Sequence, residues 1–230
     1  MLLATGAYAQ RSQQGGKTVR TRSYNKNTMH MPRSKSKVIC PIFEDTGYPY
    51  QGIGVKFGDP FAFTYKYYPN KHLGIAVDFG RSASGLYSKY YSSFFPDYTE
   101  PDTLDTGAGE SVSYYSHKVK SDWVGEVKFL YHFSAEKVSP GLQAYSGLGW
   151  EFRSLNITYD YQVQSGPENQ IESMNVSRFT QGVQIVAGIE YSYFKLPISA
   201  FMELEYYIDV MKDPGWRKLQ GGVGLRYIFE

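Results

Sequence analysis

The sequence predicts an all-β fold, an eight-stranded antiparallel up-and-down transmembrane β-barrel with a flexible N-terminal tail. From Gly52 onward, apolar and polar residues alternate with a period of two, which is the period of a β-strand. Several alternating segments exceed the ~9–11 residues that a strand needs to cross a bilayer, whereas strands of soluble proteins usually have about 5–6. The links between the segments also tend to alternate between short and long, which is typical of bacterial outer-membrane barrels.

Residues 1–50 lack this alternation and divide into two parts. The opening "MLLATGAYAQ" is apolar and ends in a small-x-small pattern, so residues 1–9 are interpreted as the remnant of a signal peptide. Residues 10–50 are rich in polar side chains and predict a flexible tail. Residues 11–40 hold eight of the chain's 24 basic residues and none of its 22 acidic ones, so a basic tail precedes a mildly acidic body.

Eight alternating segments follow the tail. The clearest is "LPISAFMELEYYIDV", in which Met202 and Leu204 share one face while Glu203 and Glu205 lie on the other. The predicted strands are 52–57, 61–69, 72–88, 111–133, 141–161, 173–194, 197–210 and 216–229. The remaining 51–230 sequence is therefore interpreted as a single barrel domain.

The predicted links place the two ends of the barrel. The sequences "PNK", "SAEKVSP" and "KL" form short turns, whereas residues 89–110 and "QVQSGPENQIE" form long loops. The first link, "GDP", departs from this trend, and "GRSASG" (80–85) is interpreted as small residues within the third strand. Short turns mark the periplasmic end of such barrels. Since the strand number is even, the tail is expected at that end.

Aromatic residues gather beside the short turns and at the C-terminus. Tyr131, Phe133, Tyr227 and Phe229 all fall near the ends of their apolar bands. Amphipathic rings favour the boundary between lipid and water, so these residues predict an aromatic girdle.

The alternating strands and the terminal "LRYIF" resemble the small outer-membrane β-barrel proteins of Gram-negative bacteria. The stretch "GIGVKFGDPFAFTYKYYPNKHLGIAVDFG" (52–80) is similar to the opening hairpins of such barrels in Bacteroidota. The resemblance implies a place in the cell outer membrane, contact with its lipid, and insertion by the barrel-assembly machinery, with Tyr227 and Phe229 as the assembly signal. A narrower likeness is to the PorG-like barrels linked to type IX secretion and gliding.

The polar faces of the predicted strands carry charges of both signs. The interior of an eight-stranded barrel is just wide enough for side chains to fill, so these charges must pair with one another. Glu203 or Glu205 is expected near Arg226, and Lys118 and Lys120 are also assigned to the interior. The predicted salt-bridge network consists of Glu126, Lys128, Glu151, Arg153, Glu190, Glu203, Glu205 and Arg226.

Two of the four histidines lie near a serine, as a catalytic histidine would. His132 and Ser134 have the His-x-Ser spacing that resembles a lipid A deacylase, but they lie at the predicted periplasmic end; His117 lies beside Ser116 near the other end. The sequence contains one cysteine and no histidine or cysteine spacing that is typical of a metal site. The sequence therefore predicts no catalytic residues, no metal and no cofactor.

The basic tail is the main functional clue in the sequence. In the periplasm it would meet no nucleic acid, so the expected partner is a periplasmic protein with an acidic surface. The predicted contacts are Arg20, Arg22, Arg33, Lys35 and Lys37. The first hypothesis is an anchor or scaffold of a cell-envelope complex, with type IX secretion as the narrower version. The alternatives are an adhesin or defence barrel acting through its long loops, and a lipid-modifying enzyme.

Overall fold

The computed structural model describes residues 48–99, 111–135, 137–165, 168–192 and 196–230. The predicted signal remnant, almost all of the tail with its five predicted contact residues, and Cys40 lie outside the described residues.

Eight antiparallel strands of the described ranges form a closed barrel in which each strand pairs with its neighbours in sequence and β1 pairs with β8. The predicted fold class is therefore confirmed. The strands are β1 (Tyr50–Asp59), β2 (Phe61–Asn70), β3 (Leu73–Arg81), β4 (Ser111–Ser134), β5 (Leu142–Ser165), β6 (Glu168–Ser192), β7 (Ile198–Asp209) and β8 (Arg217–Phe229).

The two faces of the barrel have opposite polarity. In β7, Met202 and Leu204 are exposed on the outer face, whereas Glu203 and Glu205 are buried inside. The same alternation runs through β8, where Leu225 points outward and Arg226 inward. An apolar exterior around a charged interior is the arrangement expected when the solvent outside is lipid.

Two predicted links differ from the structure. Residues 162–172 were expected to form a loop, but β5 and β6 continue through them and only residues 166–167 separate the strands. The "GDP" link is a single residue, Pro60, between β1 and β2. β5 and β6 pair continuously from Leu142↔Tyr191 to Ser165↔Glu168.

Three strands continue far beyond the rest of the barrel. β3 pairs with β4 only up to Arg81↔Trp123, and β7 pairs with β6 only up to Asp209↔Gly182. Residues 111–122, 155–165 and 168–178 therefore form a three-stranded sheet beyond the barrel, which we call the extension sheet. At about 3.3 Å per residue, its strands reach on the order of 35 Å along their own axes.

The third predicted strand, 72–88, ends early. β3 stops at Arg81, a 3₁₀ helix covers Ser84–Tyr87, and two short α-helices follow, α1 (Ser88–Ser93) and α2 (Phe95–Tyr98). The prediction that "GRSASG" lies within a strand is wrong beyond Arg81. None of the helices in the described ranges is long and apolar enough to cross a membrane.

Replacing Phe229 with Ser is expected to reduce the amount of folded barrel in the outer membrane several-fold. Phe229 is the last outward-facing aromatic of β8 and lies opposite Gln51 of β1, so it belongs to the seam that closes the barrel. The measurement is the heat-modifiable band of the folded barrel in outer-membrane fractions. Phe57→Ser is the matched control, because Phe57 also points outward from the seam but lies far from the C-terminus. Equal loss in both variants would count against an assembly signal at Tyr227 and Phe229.

Candidate functional site: the barrel interior and the extension module

Lys128 lies at the centre of the charged interior. Its Nζ is 2.7 Å from Asp78 Oδ2 and 2.9 Å from both Glu126 Oε2 and Glu203 Oε2, and it also contacts Glu205. All five side chains are buried. Strands β3, β4 and β7 supply these residues, so the ammonium group joins strands from opposite parts of the barrel wall.

A second lysine completes the same cluster. Lys56 Nζ lies 2.9 Å from Glu205 Oε1, 3.0 Å from Glu126 Oε2 and 3.1 Å from Asp78 Oδ2. Asp78, Glu126 and Glu205 bring carboxylate oxygens within 4.8 Å of one another, a spacing that could hold a cation. The ammonium groups of Lys56 and Lys128 supply the positive charge at this point.

Arg226 organises the interior toward the short turns. Its guanidinium lies 3.3 Å from Glu203 and 3.6 Å from Glu190, and it stacks 3.4 Å from the centre of the Phe201 ring. A Cβ at Gly224 would fall 2.3 Å from that ring, so the glycine leaves the space that Phe201 occupies. The sequence-based expectation of an acidic partner for Arg226 on β7 agrees with this contact.

Toward the opposite rim, Arg153 and Lys218 contact two further buried carboxylates, those of Asp122 and Glu151. Arg153 Nε donates to Asp122 Oδ1 at 2.7 Å, and Lys218 Nζ donates to Glu151 Oε1 at 2.7 Å. Gln220 bridges this level to the central cluster by donating to Glu151, Glu126 and Glu205. The charged network therefore extends through the full depth of the barrel.

The structure places all eight predicted network residues inside the barrel, and each is buried. Six of them contact one another, whereas Glu151 pairs with Lys218 and Arg153 pairs with Asp122, which were not among the eight. Lys118 and Lys120 are different, because both are exposed. They lie in the extension sheet, where β4 has register shifts at Tyr114/Ser116 and Val119/Ser121. Their assignment to the interior is wrong, because the register shift between Val119 and Ser121 inserts an extra residue and moves the side chains before it to the other face of the strand.

Purified protein in planar bilayers is expected to show no steady large conductance. Side chains fill the barrel at three levels, and ion pairs of 2.7–3.6 Å cross it, so little space remains for hydrated ions. Single-channel recording in about 1 M salt, where charges are screened beyond about 3 Å, tests this. Persistent openings that remain after a second round of purification would show that a continuous water path exists.

Beyond the rim, the helices cover one face of the extension sheet and form an aromatic core with it. Tyr91 and Phe95 of the helices pack against the buried side chains of β5. We call the extension sheet, the 3₁₀ helix, α1 and α2 together the extension module. The β5 side of its core contains Leu155, Ile157, Tyr159, Tyr161 and Val163.

Tyr91 connects the extension module to the charged interior. Its hydroxyl donates to Asp122 Oδ2 at 3.1 Å and accepts from Arg153 Nη2 at 2.5 Å. Burial raises the pKa of Tyr91 and the pKa of Tyr87, so both stay protonated at neutral pH. The Tyr87 hydroxyl donates to Asp59 at the end of β1. The neutral phenol groups of Tyr87 and Tyr91 therefore attach the module to the barrel rim by hydrogen bonds to charged side chains.

A second contact ties α1 to the β7–β8 turn. The rings of Tyr90 and Trp216 stack with centroids 4.0 Å apart, and the Tyr90 hydroxyl donates to Asp213 Oδ2 at 3.2 Å. The helical layer thus reaches from the extension sheet to the β7–β8 turn.

The histidine candidates occupy two different settings. His132 is buried, and its Nδ1 lies 2.9 Å from Gln143 Oε1, whereas Ser134 is exposed. His117 lies in the extension sheet, with Nδ1 2.6 Å from the Tyr114 hydroxyl and Nε2 3.3 Å from Ser88 Oγ. The hydrogen-bonding contacts of both rings are therefore with neutral amide and hydroxyl groups.

Two sequence signals could have revealed the extension module. In β5, the inward parity is charged at Glu151 and Arg153 but apolar from Leu155 onward, which marks the point where the strand leaves the barrel. In the long link, aromatic residues recur at helical rather than strand spacing. These residues are Tyr87, Tyr90, Tyr91, Phe94, Phe95 and Tyr98.

Comparison with known proteins gave structural neighbours but no sequence relatives. No protein-family model matches the chain, and no curated protein matches it significantly. The N-terminal β-barrel domain of Pseudomonas aeruginosa OprF aligns with 15% identity and a TM-score of 0.42, over 79% of this chain and 96% of that one. Ail, the attachment invasion locus protein of Yersinia pestis, aligns with 14% identity and a TM-score of 0.38, over 79% and 94%.

A major outer membrane protein from Thermus thermophilus aligns with 14% identity and a TM-score of 0.40, over 80% of this chain and all of that one. The classification rests on the chain's own strands, which close into a ring with an apolar outside and a charged inside. The protein is an eight-stranded β-barrel of the outer membrane.

Proposed function

We propose that the protein is a non-enzymatic outer-membrane barrel that binds a partner at the cell surface through its extension module. The observation that carries this proposal is the module itself, a three-stranded sheet with its own aromatic core beyond the barrel rim. A tight turn is enough to connect neighbouring strands of a barrel, so crossing the membrane does not require this additional folded structure.

The orientation of the barrel supports a place outside the cell for the module. The first strand begins and the last strand ends at one end of the barrel, whereas the longest connection, residues 82–110, lies at the other end, and long connections are extracellular in outer-membrane barrels. The module stands at this extracellular end. Its surface carries exposed apolar side chains, including Tyr115 and Ile171, and such side chains are common contacts in binding surfaces.

A variant without the module tests the proposal. Residues 84–120 and 156–177 are each replaced by a two-residue Asn-Gly turn, and folding of the remaining barrel is checked by its heat-modifiable mobility. Cells displaying either form are then applied to an array of immobilised glycans and extracellular-matrix proteins. The complete protein should bind at least one probe that the trimmed barrel does not. Equal binding by both forms, or binding by neither, would contradict a surface-recognition role.

We also propose a second function, the periplasmic anchor or scaffold expected from the sequence, for which type IX secretion and gliding is the narrower candidate. The observation in its favour is the tail, where residues 11–40 hold eight basic and no acidic side chains. Deleting residues 11–45 should leave the barrel inserted but remove its partner from pull-downs of native membranes. Unchanged co-purification would contradict this role without affecting the surface function.

A further inference from the structure

Arg178 is a buried arginine at the base of the extension sheet. It lies on β6 opposite Leu155 of β5, on the face that the helices cover. Only 9% of its surface is exposed. A charged side chain in such a position normally has an anionic partner, because burial removes the water that would otherwise solvate it.

The other two buried arginines of the described ranges both have carboxylate partners. Arg153 donates to the carboxylate of Asp122, and Arg226 contacts the carboxylates of Glu190 and Glu203. Arg178 has no hydrogen bond or ion pair to any residue in those ranges, and its buried Nε lacks a partner there. Arg178 therefore differs from both in having no carboxylate partner among the described residues.

The contact that Arg178 does make leaves those donors free. Its guanidinium carbon lies 3.8 Å from the centre of the Phe94 ring, so one face of the group is covered. Phe94 is held in turn by Tyr90, whose ring meets it edge-on at 4.4 Å and stacks on Trp216. Stacking uses the face of a guanidinium, whereas hydrogen bonds leave from its edge. The aromatic layer therefore fixes the orientation of the guanidinium group without accepting hydrogen bonds from its N–H donors.

The acidic side chain of the neighbouring turn has another partner. Asp213 accepts a hydrogen bond from the Tyr90 hydroxyl, so this carboxylate is bonded to the tyrosine rather than to the arginine. A planar guanidinium group that is stacked on one face, and whose edge N–H donors have no partner among the described residues, is suited to a carboxylate or phosphate. Guanidinium binds these groups through two parallel hydrogen bonds.

We propose that Arg178 is an anion-binding residue, which receives a carboxylate or phosphate group of the ligand recognised by the extension module. This inference rests on the proposed surface function and assigns the chemistry of its ligand. The group could belong to an acidic saccharide or to the headgroup of a lipid, since both present the same oxygen atoms to the guanidinium group.

Side-chain NMR of the purified barrel in phosphatidylcholine nanodiscs tests the site directly. Titration with inorganic phosphate, and separately with glucuronate, should shift the Arg178 Nε–H resonance with saturation. Arg81 is the matched control, because it also lies on an aromatic ring, 4.7 Å from Trp123, but is exposed. An Arg178 resonance that does not move, or that moves only as much as that of Arg81, would overturn the proposal.

Two substitutions check that the anion binds to the guanidinium group of Arg178. Arg178→Gln should abolish saturable shifts in the neighbouring Phe94 and Trp216 signals, and Arg178→Lys should weaken binding at least about tenfold because it keeps charge but loses bidentate geometry. Shifts of undiminished size in Arg178→Gln would overturn the assignment. Nanodiscs containing phosphatidylglycerol distinguish the sources: a shift caused by the lipid alone identifies a headgroup, and a shift that needs the soluble anion identifies a soluble ligand or saccharide.

The array experiment separates this inference from the proposed function. If Arg178→Gln binds the array as well as the unchanged protein does, the module recognises its partner without Arg178, and only the anion inference fails. If the unchanged protein binds no array probe while Arg178 still titrates with phosphate, the surface function fails and the anion site remains.

Discussion

Replacing Lys128 with Met is expected to lower the free energy of unfolding by about 3–5 kcal/mol, the usual effect of leaving a buried charge without its partner. Lys128 contacts four buried carboxylates, from Asp78, Glu126, Glu203 and Glu205. Methionine fills a similar volume but supplies no charge, so the carboxylates would repel one another in a site without water. This is the largest effect we expect from a single substitution in the barrel.

Urea unfolding in lipid vesicles, followed by tryptophan fluorescence, measures the loss. Lys137→Met is the matched control, because Lys137 is exposed in the β4–β5 turn, and it should change stability by no more than about 0.5 kcal/mol. Adding Glu205→Gln to Lys128→Met should recover at least about 1 kcal/mol, since one of the repelling charges is removed. A Lys128→Met barrel as stable as the control would show that the central cluster does not depend on this ammonium group.

Replacing Tyr91 with Ala is expected to destabilise the extension module by about 3–5 kcal/mol, the range for deleting a large buried aromatic ring, while the barrel stays folded. Tyr91 is fully buried in the module's aromatic core, and its hydroxyl also joins Asp122 and Arg153 at the rim. The substitution removes both the packing and the attachment, so α1 and α2 should separate from the sheet.

Hydrogen exchange measured by mass spectrometry distinguishes the module from the barrel. Amides of residues 88–98 and 155–165 should exchange much faster in Tyr91→Ala, whereas amides of β1, β2 and β8 should keep their protection. Leu86→Ala serves as the control, because Leu86 lies near the same helices but is 74% exposed. Faster exchange throughout the barrel would show instead that module and barrel unfold together.

The protein combines a barrel filled by charged side chains with an extension module that has its own aromatic core. The interior network fills the barrel and holds strands from opposite sides together. The extension module projects from this barrel, whose shape the interior ion pairs maintain. Tyr91, Tyr87 and Arg153 lie at the junction between the module and the barrel.

Much of the barrel could be predicted because a β-strand has only two faces and successive side chains alternate between them. A residue such as Glu203 or Arg226 must point to the polar side if its neighbours in sequence face lipid. The same rule predicted the buried network residues, and it explains why Arg226 and Glu203 meet on adjacent strands.

The extension module was the main feature that the sequence-based interpretation missed. Period two continues through β5, but beyond Arg153 the inward face becomes apolar because it packs on helices rather than on water and charges. Lys118 and Lys120 were misplaced because alternation does not reveal the bulge between Val119 and Ser121, which reverses the face of the residues before it. The short helices contain serines and a proline, Pro96, and for such residues propensity alone favours a loop.

The strand period, the number of strands and the face of each strand that meets lipid could be predicted from the sequence, because they depend on local alternation. The charge pairs across the barrel, the point where three strands continue past the rim, and the lack of a carboxylate partner for Arg178 among the described residues depend on the tertiary structure. These features depend on distances between residues far apart in the chain. Such distances are set by closure of the barrel and packing of the helices, and period two contains no information about them.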